Sequence, residues 1–169
     1  MKNLLFLFLL CFGYQAKSQD VISEFEKKWL NSKAYTLTII EATPEALLTG
    51  KPVEGVMTFE RQIQHIAQNM VWLSSTYIIK GQEFTGDLKQ STYTKAELVK
   101  LTEMAYDFAL AQVKQITPEM LEETVSFFAG DLTKRQILAL MNDHVAHHRG
   151  QLIIYLRAEG ITPPNYVGW

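Results

Sequence analysis

This sequence predicts an all-α fold, a four-helix bundle, and three observations carry that expectation. Four long segments repeat apolar residues at three- and four-residue spacing, which gives a helix one buried stripe. Two of them open on a complete capping signature, Thr94-Lys95-Ala96-Glu97 and Thr133-Lys134-Arg135-Gln136. No segment shows the sustained period-two alternation of a half-buried strand. With 169 residues, 47% hydrophobic and 20% charged, the chain has the length of one domain and the composition of a globular protein.

The first eighteen residues read as a leader. Lys2 is a short positive region, Leu4 to Phe12 is a nine-residue apolar run, and Ala16-Lys17-Ser18 offers small residues at the positions a signal peptidase reads. The run is too short to span a bilayer, which takes about 20 residues. Cleavage after Ser18 gives a mature domain of residues 19–169, secreted or periplasmic, with no membrane contact once the leader is gone. The mature charge is then −4, because Lys2 and Lys17 leave 14 basic residues against 18 acidic. Cys11 is the only cysteine and leaves as well, so the mature chain has no disulfide, no thiol nucleophile and no cysteine ligand.

The first helix is expected from Val21 to about Glu41, with apolar residues at Val21, Ile22, Phe25, Trp29, Leu30, Leu37 and Ile40, roughly at helical spacing. Thr43-Pro44-Glu45 marks a stop and a short helical turn, since Pro suits a first helical position. Thr58 is a plausible N-cap for a second helix to about Lys80, striped by Phe59, Ile63, Ile66, Met70, Leu73 and Tyr77. His65 lies on the shoulder of that stripe, in line with Gln62, Asn69 and Trp72. Gly81 is a natural C-terminal stop.

Thr94 opens the third helix, which runs to about Ile116 with Leu98, Leu101, Ala105, Phe108, Val113 and Ile116 inward. Pro118 starts a short helix through Glu123, and Val125 to Phe128 fits strand or loop equally. Thr133 opens the fourth helix, Lys134 to about Glu159, ended by Gly160. Its inward face is Ile137, Met141, His144, His148, Leu152 and Tyr155. Gly150 inside this helix costs about 1 kcal/mol relative to Ala, and a close helix contact is one reason to keep it. Pro163-Pro164 sends the chain off as an extended tail.

A net charge of −2, without any run of Lys or Arg, argues against a nucleic-acid surface. There is no glycine-rich phosphate loop, no Glu-x-x-His pair for a di-iron bundle, and no glutamate beside His144 as a zinc protease would carry. The histidines are the informative feature. His144 and His148 stand one turn apart on one side of the helix, and both interrupt a core stripe. Burying two imidazoles without partners is costly, and two so placed can reach one divalent metal. With His65 they make an open three-histidine site. His147 points to the flank, 60° from His144 and 100° from His148. Asp143 and Arg149 read as solvated or ion-paired. Trp72 and Tyr155 could wall a pocket, with core packing as the simpler reading.

The segment His144-x-x-His147-His148-Arg149-Gly150-Gln151-Leu152, then Tyr155-Leu156-Arg157 and Gly160-x-x-Pro163-Pro164, resembles the DinB/YfiT-like superfamily. A single upstream histidine, here His65 in His65-Ile66, also fits, and the resemblance covers about residues 21–168. It implies an up-down-down-up bundle and a divalent metal, zinc or nickel, held by His65, His144 and His148. His147, Arg149 and Gln151 match the motif without being ligands. Members often form homodimers. Characterised relatives include thiol-dependent transferases and isomerases, and many others are described as metal-dependent hydrolases.

The expectation for this chain is therefore a metal-dependent hydrolase or transferase acting on a small molecule. A leader would remove it from cytosolic thiols, which counts against thiol transfer. No residue is singled out as the catalytic base; Asp143 and His147 are weak candidates. The alternatives are a non-catalytic metal-binding helical protein and a structural bundle that binds nothing.

Overall fold

The structure, a computed structural model, describes residues 21–169 in full; the expected leader, its cleavage position and Cys11 lie outside these described residues. Four helices make up the body: α1 (Lys2–Ala42), α2 (Phe59–Leu73), α3 (Lys95–Val113) and α4 (Lys134–Ala158). Single 3₁₀ turns at Glu45–Leu47 and Met120–Glu122 punctuate the connections. One short antiparallel ribbon, β1 (Thr124–Val125) with β2 (Leu132–Thr133), pairs Thr124 with Thr133 and Val125 with Leu132. Among the described residues no helix is long and apolar enough to cross a membrane.

The helix starts follow their capping residues. Thr58 Oγ1 accepts the Arg61 N–H, and both expected capping boxes close: Glu97 accepts from the Thr94 N–H at 2.8 Å, Gln136 from the Thr133 N–H at 2.8 Å. Gly81 and Gly160 both have φ near +80°, at +83° and +72°, which ends each helix where a side chain would be strained.

Contacts between named residues give the topology. Glu26 pairs with Lys114 and Lys33 with Asp107, so α1 and α3 are antiparallel. Phe59 meets Tyr155 while His65 meets His144, so α2 and α4 are antiparallel. Arg149 reaches Ser32, while Leu156 and Thr43 share one cavity wall, so α1 and α4 run the same way. The order is up, down, down, up. Because α2 and α3 are parallel, residues 79–94 must return the length of a helix. Sixteen residues span at most about 50 Å extended, ample for the roughly 30 Å covered by residues 59–78.

That crossover is tied down by polar side chains of α2 that the core encloses. Gln64 donates to Leu88 O (2.9 Å), Gln90 O (3.1 Å) and Tyr93 Oη (2.8 Å), and Gln68 donates to Leu88 O (2.7 Å). Buried Glu60 accepts the Tyr93 N–H at 2.9 Å. These bonds satisfy loop backbone groups that would otherwise be buried without partners.

Several sequence expectations need correction. Of the apolar positions in the first helix, Phe25, Trp29 and Ile40 are buried with Tyr35, Thr36 and Ile39, while Leu37 is half-buried and Leu30 is 45% exposed. The second helix is not α-helical to Lys80. It widens into a π turn over Ser74–Ile78, closed by Ile79 N–H to Ser74 O at 3.1 Å. The run 125–128, which fitted strand or loop, divides: Val125 pairs in β1, and residues 126–128 form the ribbon's tip. The C-terminal tail is extended but docked, Tyr166 lying edge-on to Tyr35 at 6.0 Å and Trp169 under Lys28.

The Gly150 expectation also fails. A Cβ there would meet nothing within 4 Å, so no close helix approach requires the glycine. Gly150→Ala should therefore stabilise the fold by about 1 kcal/mol through helix propensity, seen as a Tm rise of roughly 2–4 °C. A lower Tm would contradict this.

Candidate metal centre

The two middle turns of α2 and α4 face each other across the bundle, and every histidine expected in the site is there. His65 comes from α2, His144 and His148 from α4. Their ring centroids lie 4.9 Å (65 to 144), 4.5 Å (65 to 148) and 4.4 Å (144 to 148) apart. One nitrogen from each falls within 4.8 Å of the others. His148 is buried at 8% exposure, while His65 and His144 are half-buried, so the group is open on one side.

The donor set suits a divalent cation. At 2.0–2.1 Å from a tetrahedral metal, ligand nitrogens stand about 3.3 Å from one another. His65 Nε2 and His144 Nε2 are 3.1 Å apart. The Nε2 of His144 thus faces the site, while its Nδ1 is buried with no hydrogen-bond partner among the described residues. The three-histidine group could therefore hold a divalent metal.

Gln62 is the site residue that sequence reasoning passed over. Its Oε1 accepts from His148 Nδ1–H at 2.7 Å, which fixes the ring's tautomer and leaves Nε2 with a free lone pair. The amide nitrogen of Gln62 donates to Gln151 Oε1 and, at 3.5 Å, to Tyr155 Oη. Tyr155 in turn donates to Met57 O, and Gln151 donates to His147 Nε2 at 2.9 Å. The only sequence cue was position: Gln62 lies one turn before His65 on the same shoulder.

The remaining candidates separate cleanly. His147 is exposed and turned to the flank, as its helical angle required. Asp143 is exposed. Tyr155 is buried and bonded, and it walls the cavity that Thr43, Phe59 and Leu156 also line, away from the histidines. Trp72 is 38% exposed and packs on aromatic neighbours outside the core. Arg149 is neither solvated nor ion-paired. It turns inward, donates to Ser32 Oγ at 2.6 Å and lies 4.9 Å over the Tyr35 ring. Thr36 spends its proton on Ser32 O, so Tyr106 donates to Thr36 and accepts from Ser32. This chain ties α4 to α1 and α3 behind the histidines, and burial pushes the Tyr106 hydroxyl pKa up.

Without a cation the three imidazoles are held neutral. Burial, then the charge of the neighbouring imidazoles, pushes His144 down to about 3 and His148 down to about 4; burial also lowers His65. The unfolded chain takes up protons below about 6.5 and the folded one does not, so stability falls as pH drops through that value. The Tm of metal-free protein should decline between pH 6.5 and 5, more steeply than in His144→Asn. Parallel profiles for the two proteins would contradict it.

The comparisons with known proteins agree with this picture. The chain matches the DinB family over residues 15–168. It is 28% identical to YjoA of Bacillus subtilis (strain 168) over 149 residues, 86% of this chain and 93% of that protein. A second protein of that organism, YrdA, is 31% identical over 61 residues, 36% of each chain. The crystal structure of the DinB-like protein YjoA is similar with a TM-score of 0.67 at 24% identity, covering 87% of this chain and 96% of that one. A DinB-like protein from Bacillus cereus ATCC 10987 gives 0.72 at 19% identity, covering 85% and 95%. At these identities the structures establish the shared bundle, and with the family match spanning nearly the whole sequence, this chain belongs to the DinB family.

Proposed function

We propose that this protein is a metal-dependent enzyme in which His65, His144 and His148 hold one divalent cation, zinc or nickel, and that it hydrolyses or transfers a group on a small molecule. The observation that supports this is the convergence of three imidazoles from two helices, with no fourth His, Cys, Asp or Glu in the group among the described residues. Such a cation supplies Lewis acidity, which lowers the pKa of water toward about 7 and polarises a carbonyl or similar group.

The chain's own residues have definable roles. His65 and His144 face the open side and set where a substrate atom would approach. Gln62 holds His148 in one tautomer and orientation. Being an amide, Gln62 cannot itself take or give a proton, so no side chain hydrogen-bonded to His148 acts as a general base. That feature also favours the second reading, a metal-binding protein without turnover. We further infer, from the leader expected over residues 1–18, that the protein works outside the cytoplasm. Small-molecule thiols are scarce there, so hydrolysis is the preferred chemistry.

Residues 19–169 purified without a histidine tag should carry about one equivalent of metal, and His65→Ala, His144→Ala and His148→Ala should each lose it. Metal retained in any of the three would overturn the ligand set. Full occupancy with no turnover of any small ester, amide or lactone would favour the non-catalytic reading. Gln62→Leu should weaken metal affinity roughly 10–100-fold, the usual cost of losing a ligand's orienting partner. An unchanged affinity would remove Gln62 from the site.

A further inference from the structure

Two turns along α2 from His65 the surface becomes aromatic. Trp72 lies seven residues on, about 10 Å along the axis and about 20° around it. Four rings meet there: Trp72 with Tyr77 (5.4 Å), Phe127 (5.9 Å) and Phe128 (6.3 Å), Tyr77 with Phe127 (5.4 Å), and Phe127 with Phe128 (4.4 Å). Phe128 is 83% exposed and Trp72 38%, while half-buried Tyr77 and Phe127 pack beneath them against the core.

Two local features build it. In an α-helix, residues five apart stand about 140° apart and their rings do not meet. The π turn at Ser74–Ile78, closed from i to i+5, brings Tyr77 round beside Trp72. The other two rings sit at the tip of the β1–β2 ribbon, which leads directly into the helix that carries His144 and His148. Gly130, at φ +116°, lets the tip turn, and its N–H donates to Phe127 O at 3.0 Å. The base is clamped by Lys134, whose Nζ pairs with Glu123 at 2.8 Å and whose N–H donates to Glu123 O at 3.0 Å.

We propose that Trp72, Tyr77, Phe127 and Phe128 form the subsite that receives a planar, apolar part of the substrate, so that the metal centre acts on molecules carrying an aromatic or similarly flat group about 10 Å from the reacting atom. This rests on the metal-centre reading above. The position supports it: Trp72 continues the line of His65 along α2, and the ribbon tip that carries Phe127 and Phe128 meets it there. The area supports it too. At roughly 150–250 Å² per aromatic side chain, these exposures leave on the order of 250 Å² of aromatic surface in water. A stable dimer needs about 800 Å² from each partner, whereas one flat ligand face is covered by far less. Ring faces also favour stacked or edge-on aromatic partners over flexible alkyl chains.

The test uses zinc-loaded protein and two hydroxamates. One ends in a phenyl ring that reaches as far from the chelating oxygens as Trp72 lies from His65; the other has the same alkyl chain without the ring. Titration calorimetry should give about tenfold or more tighter binding for the phenyl compound, and that ratio should collapse toward one in Phe128→Ser and in Trp72→Leu. Phe128 is so exposed that its replacement leaves the fold intact. A ratio near one in the parent, or one that survives both substitutions, overturns the subsite. Loss of the ratio alone leaves the metal centre standing. Failure of both hydroxamates to bind overturns the metal-centre reading, and the subsite with it. Sedimentation of the same samples completes the test: a dimer that Phe128→Ser dissociates would make this surface an interface between copies and overturn the proposal.

Discussion

The hydrogen bond from His148 Nδ1 to Gln62 Oε1, 2.7 Å long, is where the fold and the site become one object. It crosses the α2–α4 interface at the level of the histidines and sets the register of the two helices. A slip of one turn, about 5 Å, would carry His65 away from His144. The same amide reaches Gln151 and Tyr155, so the register is held over two turns of α4. On the far side of α4, Arg149, Ser32, Tyr106 and Thr36 form a second buried polar chain that ties it to α1 and α3. Buried polar networks are costly when incomplete and specifying when satisfied. Here both networks back the helix that carries two of the three histidines, which is how a half-open site acquires rigid ligands.

The second constraint is topological. Parallel α2 and α3 oblige the chain to run back over the bundle between them, and that crossover has little regular structure of its own. Gln64, Gln68 and Glu60 hold it, all from α2. The helix that presents His65 on one side thus anchors the crossover loop on the other. Polar side chains on its buried face look out of place in a core and are explained by the loop backbone they satisfy.

Much of this was legible in the sequence because the cues were local. Thr58, Thr94 and Thr133 cap where they should, and Gly81 and Gly160 adopt the positive φ that ends a helix. The i, i+4 spacing of His144 and His148 on an apolar stripe already implied a shared partner, and the structure brings His65 to them. What was not legible depends on tertiary contacts. Arg149 reads as a solvated or ion-paired residue, and Gln62 as a shoulder position without a role, until their partners across the bundle are known. The π turn has no marker in Ser-Ser-Thr-Tyr-Ile, since a one-residue change in helix pitch alters no capping or turn residue. The apolar spacing of the first helix did not separate Leu30 from its neighbour Trp29; the larger ring takes the core and Leu30 is left exposed.

The central claim is an open three-histidine metal centre whose ligands come from α2 and α4. X-ray absorption of the metal-loaded protein tests it most directly, because the method counts imidazoles and other light atoms around the metal itself. The account predicts three imidazoles at about 2.0–2.1 Å and one further light atom, which exchanges when a small chelating anion is added. A shell with two imidazoles or fewer, or four protein ligands and no exchangeable position, would contradict it.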